Sequence, residues 1–199
     1  KSDHVVTIHD VGEEGGNPFI AMEYLLGSPL NHYLKEKGEL PLPQALRVAG
    51  ETATGLAAAH ALGLVHRDIK PANLWLESPN GRVKILDFGL ARAQNDDAHL
   101  TGSGAVVGTP AYMSPEQARG RKVDHRTDLF SLGVLMYRLC TGKMPFTGAT
   151  TMAVLTSLAV DHPPPPVAKN PQVPQALSDL IMRLLEKDRE NRPASAAEV

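Results

Sequence analysis

The chain has 199 residues, a formal net charge of −2 and one cysteine. That length suits a single domain with a sizeable core, and near-neutrality without a conspicuous Lys/Arg run argues against nucleic acid as a partner. Cys140 has no second thiol to pair with, which fits packing in a reducing compartment, and no apolar stretch reaches the roughly 18 residues that a membrane span requires.

Val5 to His9 and Phe19 to Leu25 are predicted strands, with the run Gly12 to Pro18 as the turn between them. Gly27-Ser28-Pro29 then breaks the pattern. From Leu42, the positions Leu46, Ala49, Ala53, Leu56 and His60 recur at helical spacing, so a long buried helix is expected to end near Gly63. Asn73 to Glu77 and Arg82 to Leu86 alternate around Pro79-Asn80-Gly81, as a hairpin would.

Gln94 to Val107 is polar, Gly-rich and aperiodic, which predicts a mobile connecting segment. Leu129, Leu132, Leu135, Met136 and Leu139 restore the helical period and make Asp128 to Cys140 the central helix. Thr151 to Val160 and Gln175 to Leu185 are further helices, joined across the four prolines Pro163 to Pro166. Such a run is either a stiff loop or an extended segment able to dock on SH3-like partners. No internal repeat is visible.

The chemistry-bearing stretch is His66-Arg67-Asp68-Ile69-Lys70-Pro71-Ala72-Asn73, followed by Asp87-Phe88-Gly89. Phosphoryl transfer needs a carboxylate for the attacking hydroxyl, a cation for the transferred phosphate and hard oxygen ligands for a metal. This short span supplies all of them. Further along come Gly108-Thr109-Pro110, Ser114-Pro115-Glu116, Asp128 with Ser131-Leu132-Gly133, and Arg192-Pro193.

In this order and spacing the chain resembles the eukaryotic-type Ser/Thr protein kinases, and Pro115-Glu116-Gln117-Ala118-Arg119-Gly120 is most similar to bacterial members. The resemblance implies an α+β, two-lobed protein-kinase-like fold. Residues 1–26 would be the end of the N-terminal lobe and the hinge, and 27–199 the mainly helical C-terminal lobe, cut short in its last helix. No Gly-rich loop, Val-Ala-Ile-Lys strand or helix with a paired glutamate precedes them. The chain therefore reads as a catalytic-domain fragment lacking most of the N-terminal lobe, and one expected to bind ATP poorly by itself. Gly102-Ser103-Gly104 imitates a phosphate loop but falls in the family's activation segment.

The family's roles carry over residue by residue. Asp68 resembles the base that orients a substrate hydroxyl, Lys70 the cation on the transferred phosphoryl group, and Thr109 the hydroxyl that bridges them. Asn73 and Asp87 resemble the two magnesium ligands, which makes ATP and Mg2+ the implied cofactors. Met22 resembles the gatekeeper, and Glu23 and Leu25 the hinge whose backbone bonds adenine. Trp75 falls beneath the adenine, where it would either stack on the base or serve as a core residue of a half-buried strand.

Arg67 would pair with a phosphate on Thr101 or Ser103, activating the protein through its own loop. Asp128 resembles the aspartate that holds the catalytic-loop backbone, and Glu116 with Arg192 a buried ion pair. His66, Phe88 and Ile8 would stack as a spine between the lobes. Lys70 in Asp68-Ile69-Lys70-Pro71 points to Ser/Thr rather than Tyr substrates.

The implied function is ATP- and Mg-dependent phosphorylation of protein Ser/Thr hydroxyls. Partners would be protein substrates and ATP, with a kinase–kinase dimer for autophosphorylation, in the cytoplasm or tethered to a membrane through other segments. One rival is a non-catalytic interaction module, a pseudokinase or orphan C-lobe, which the intact Asp68, Lys70, Asn73 and Asp87 oppose. A small-molecule phosphotransferase of related fold is another, opposed by the segment Gly108 to Glu116.

Overall fold

The computed structural model describes residues 2–87 and 110–199. Strands β1 (Ile8–Glu14) and β2 (Asn17–Met22) form an antiparallel hairpin with Glu14 opposite Asn17. Only Gly15 and Gly16 turn, at φ 57° and 82°, the left-handed pair that a two-residue hairpin demands. The strands therefore run through most of the stretch expected as loop. The first begins later than expected because Val5 is diverted into a parallel bridge with Ile85. There, Val6 N–H donates to Ile85 O at 3.0 Å and Ile85 N–H to His4 O at 2.9 Å.

A second sheet has the order β3-β4-β5, all antiparallel, from Gly27–Pro29, Leu74–Glu77 and Arg82–Ile85. Gly27-Ser28-Pro29 is thus a short strand, not a break, because Ser28 pairs with Leu76 across the sheet. The expected hairpin around Pro79-Asn80-Gly81 is present as β4 and β5.

The helices are α1 (Leu30–Lys37), α2 (Leu42–His60), α3 (Pro115–Ala118), α4 (Arg126–Thr141), α5 (Thr151–Val160), α6 (Pro166–Lys169) and α7 (Gln175–Leu184). On α2 the buried stripe is Ala45, Val48, Ala49, Thr52, Ala53, Leu56 and Ala59, and its small side chains let α4 and β5 approach. Leu46 lies off that stripe and is 40% exposed, against its sequence assignment. Helix α4 buries 13 of its 16 residues and is the axis of the core. Cys140 is buried on it, and burial pushes the thiol up to about 11, so it stays an inert packing group.

The proline run behaves as a stiff connector. Pro163 and Pro166 are buried, and Tyr137 Oη donates to Pro164 O at 3.0 Å. Among the described residues no helix is long and apolar enough to cross a membrane.

Candidate active site

Everything in the site hangs from Asp128, fully buried in the first turn of α4. Its Oδ2 accepts from His66 N–H at 2.8 Å, its Oδ1 from Arg67 N–H at 2.7 Å, and His60 Nε2 meets Oδ2 at 2.8 Å. The central helix thereby fixes the start of the loop between α2 and β4. Arg67 needs that grip, since at φ 68° it occupies a left-handed conformation costly for a residue with a Cβ. Its carbonyl is held from the other side by Gln117 Nε2 at 2.7 Å.

His66 is buried and has one consistent tautomer. Its Nδ1 accepts from Asp68 N–H at 3.2 Å, so Nε2 carries the proton and donates to Leu86 O at 2.7 Å. This ring joins the loop to the residue before Asp87. The expected spine is described only in part: Ile8 sits on β1, 38% exposed, and Phe88 lies outside the described residues.

The backbone so fixed brings three candidate residues together. Lys70 Nζ lies 2.7 Å from Asp68 Oδ2, and Asn73 Nδ2 donates to the same oxygen at 3.0 Å and to Asp68 O at 2.8 Å. A short 3-10 turn, Pro71–Asn73, carries Asn73 back, and Leu86 N–H donates to Asn73 O at 2.9 Å. Asp87 follows directly, exposed and also left-handed at φ 53°. Among the described non-glycine residues only Arg67 and Asp87 have positive φ. Both were singled out by the sequence.

The donor set suits a hard cation. The Asn73 amide nitrogen donates twice to Asp68, which leaves its Oδ1 as an oxygen able to serve a metal. Among the described residues no cluster of three or more His, Cys, Asp or Glu could hold a metal. Two oxygen ligands, with the rest left to water and phosphate, are what magnesium commonly takes from a protein.

The hinge differs in detail from expectation. Glu23 N–H already donates to Thr7 O at 2.9 Å, so only its carbonyl is left for a base. Its carboxylate takes Lys84 Nζ at 2.6 Å and Thr7 N–H at 2.7 Å, locking the segment to β5. Trp75 Nε1 donates to Leu26 O at 3.2 Å, which gives the half-buried indole a tethering role that needs no ligand. Met22 closes β2, 41% exposed. Thr101, Ser103 and Thr109 lie outside the described residues, as does the segment Gln94 to Val107.

A family model described as "Protein kinase domain" matches residues 1–199. The chain belongs to the protein kinase family. It is 40% identical over 200 residues to the serine/threonine-protein kinase pkn3 of Myxococcus xanthus, covering 96% of this chain and 37% of that protein. Against the serine/threonine-protein kinase Pkn1 of the same organism it is 42% identical over 200 residues, 98% of this chain and 28% of the relative. Against the serine/threonine-protein kinase PknB of Mycobacterium leprae the figures are 38%, over 98% of this chain and 32% of the relative. The chain thus spans between 28 and 37% of the length of these kinases.

Glu116 and Arg192 form a buried, doubly bonded pair at 2.7 and 2.9 Å, and Thr127 Oγ1 adds a donor to Glu116 at 2.9 Å. Burial alone would raise the Glu116 carboxyl, but the guanidinium overrides it and holds the group at about 2. Two contributors were missed in the sequence: His60, treated only as a helix position, and Gln117. Gln117 had a readable signal, because Ser114 and Gln117 make a reciprocal capping box around α3.

Proposed function

We propose that this chain carries the phosphoryl-transfer centre of a Ser/Thr protein kinase. Residues 1–26 would be the end of an N-terminal lobe with the hinge, and 27–199 a C-terminal lobe. The reading rests above all on the Asp68 cluster, in which one carboxylate oxygen is saturated by Lys70 and Asn73 while Oδ1 has no donor among the described residues. A substrate hydroxyl placed at Oδ1 would be oriented for attack and would pass its proton to Asp68. Lys70, fixed against the other oxygen, would neutralise charge growing on the transferred group.

Asn73 Oδ1 and the Asp87 carboxylate would hold Mg2+ with the ATP phosphates, and a bound metal would supply neutralising charge to those oxygens. Glu23 O and the Leu25 backbone would bond adenine, and Trp75 would lie beneath it. Arg67 would receive phosphate from Thr101 or Ser103, switching the protein on through its own loop, with a second copy as donor, and Thr109 would bridge Asp68 and Lys70. A cytoplasmic location, free or tethered elsewhere, follows from an ATP-dependent reaction on proteins.

The test is mass spectrometry of the whole protein after incubation with Mg-ATP and a generic Ser/Thr substrate, beside an Asp68→Asn control. Phosphate on Ser or Thr in the wild type alone is the expected result. No phosphate from a folded wild type would favour a non-catalytic interaction module instead.

A further inference from the structure

A concavity of about 560 Å³ lies between the end of α3 and the segment after α7, and no residue of the Asp68 cluster lines it. Five cations line it: Arg119, Arg121, Lys122, Lys187 and Arg189. They come from two runs, Arg119-Gly120-Arg121-Lys122 and Lys187-Asp188-Arg189, that meet only in the fold. Gly120, at φ 61°, makes the meeting possible. It ends α3 with a return bond from Arg121 N–H to Glu116 O at 2.9 Å, sending Arg121 and Lys122 to the rim.

Of the two carboxylates on the wall, only Asp188 is left to offset this charge. Glu116 is committed to Arg192, and Asp188 Oδ1 accepts Glu190 N–H at 3.0 Å. Arg189 is paired with Asp124 at 3.4 Å and Glu190 at 3.5 Å, while its Nη1 donates to Lys122 O at 3.1 Å. Arg121 and Lys122 are exposed and make no side-chain hydrogen bond or ion pair among the described residues. Lys187 is pinned, donating to Leu158 O at 2.6 Å with its ammonium 3.8 Å from the Phe146 ring centre. Burial lowers its pKa to about 8, opposed by Asp161 and aided by the nearby cations Arg192 and Arg119. The cavity carries a surplus of positive charge that Asp188, Asp124 and Glu190 offset only in part.

We infer that this cavity docks a phosphorylated serine or threonine of a protein partner. Three of the five cations are arginines, whose planar forks match phosphate oxygens better than a point charge does. A phosphomonoester brings about −1.5 to −2 charges, which answers the surplus, whereas one carboxylate brings half that. The space exceeds what a lone phosphate fills and leaves room for the peptide that carries it. The same short helix that forms the wall also holds the Arg67 carbonyl through Gln117, so one side chain ties the wall to the loop that carries Asp68. Its use in choosing substrates that are already phosphorylated rests on the kinase reading. The binding does not.

The experiment uses the whole protein with Asp68→Asn, so that binding is read without transfer. Anisotropy is measured on three labelled peptide libraries with a fixed central Ser, phosphoserine or Glu and random flanks. Phosphoserine is expected to bind at least tenfold tighter than Ser, and Arg121→Glu with Lys122→Glu is expected to erase the preference without moving the melting temperature. Equal binding of Ser and phosphoserine, or a preference that survives the charge reversal, overturns the inference. So does inorganic phosphate competing as tightly as the phosphopeptide, which would make this a free-anion site. Loss of transfer in the wild type with phosphopeptide binding intact would remove the kinase reading and leave the docking site standing.

Discussion

Two carboxylate–cation pairs divide the work of this chain. Glu116 and Arg192 have side chains 8% and 0% exposed, and each carboxylate oxygen has a donor. Arg192 also reaches the carbonyls of Arg126 and Glu186, at 3.0 and 2.9 Å. Asp68 and Lys70 are 37% and 19% exposed, and one oxygen of Asp68 lacks a donor among the described residues. A pair meant to hold a fold is buried and saturated, because any unmet bond there is costly. A pair that is to receive a substrate, as we propose for Asp68 and Lys70, has to stay open on one side. The same two residue types therefore predict opposite responses to mutation.

The largest effect belongs to the saturated pair. Arg192→Ala strands a buried carboxylate and should cost about 3–5 kcal/mol in a urea melt, a large part of a typical domain's stability. Replacing both partners by apolar residues of similar volume, Glu116→Leu with Arg192→Met, should return much of that loss. A single mutant within about 1 kcal/mol of wild type would break the contrast, since it would make the buried pair behave as a surface one.

Acid provides a second measure. Glu116 sits at about 2 in the fold against an ordinary value of 4.5, so the unfolded chain binds its proton first as pH falls. The pair's contribution is complete above 4.5 and disappears as pH drops towards about 2, amounting to about 3 kcal/mol in all. In Arg192→Ala the sign should reverse. A buried carboxyl without a partner prefers its proton, so acid should then stabilise the fold relative to neutral pH. Chemical denaturation at pH 5 and pH 3 of both proteins reads this directly, and parallel slopes would reject it.

Gln117→Leu should have a smaller effect. It leaves the Arg67 carbonyl and the Ser114 N–H without their partners, at about 1–3 kcal/mol for each buried group left unmet. Because Arg67 is held left-handed from both sides, releasing one side should also lower kcat more than it raises KM. Unchanged kcat in a destabilised protein would make Gln117 a purely structural cap.

The order of these effects explains what the sequence could and could not say. Helical period located α2 and α4 within a few residues, the first buried along one stripe and the second on nearly every side. Asp128, Glu116 and Arg192, which the resemblance singled out, make buried contacts to the loop backbone and to each other. The resemblance was silent where a contact depends on long-range approach. Leu46 fits the period of α2 yet faces solvent, Gly27 to Pro29 becomes a strand only because Leu76 is opposite, and Val5 follows Ile85. The basic cavity is the clearest case. Residues 119–122 and 187–189 are ordinary surface sequence until the fold sets them face to face.

The open pair should respond in the opposite way. Asp68→Asn keeps the volume and leaves Lys70, itself only partly buried, able to reach an amide oxygen. The pair is accessible to water on the Asp68 side, so its worth to the fold is that of a partly exposed bridge, about 0–1 kcal/mol. A melting temperature close to wild type is therefore expected. Transfer should fall far more steeply, by about 10²–10⁴, the usual contribution of a positioned base. Stability and rate must be measured on one preparation, since a rate loss in an unfolded protein says nothing about the base. If Asp68→Asn instead melts early and loses rate in proportion, Asp68 is holding the loop together as Glu116 holds the core. The division between a saturated structural pair and an open reactive one would then collapse.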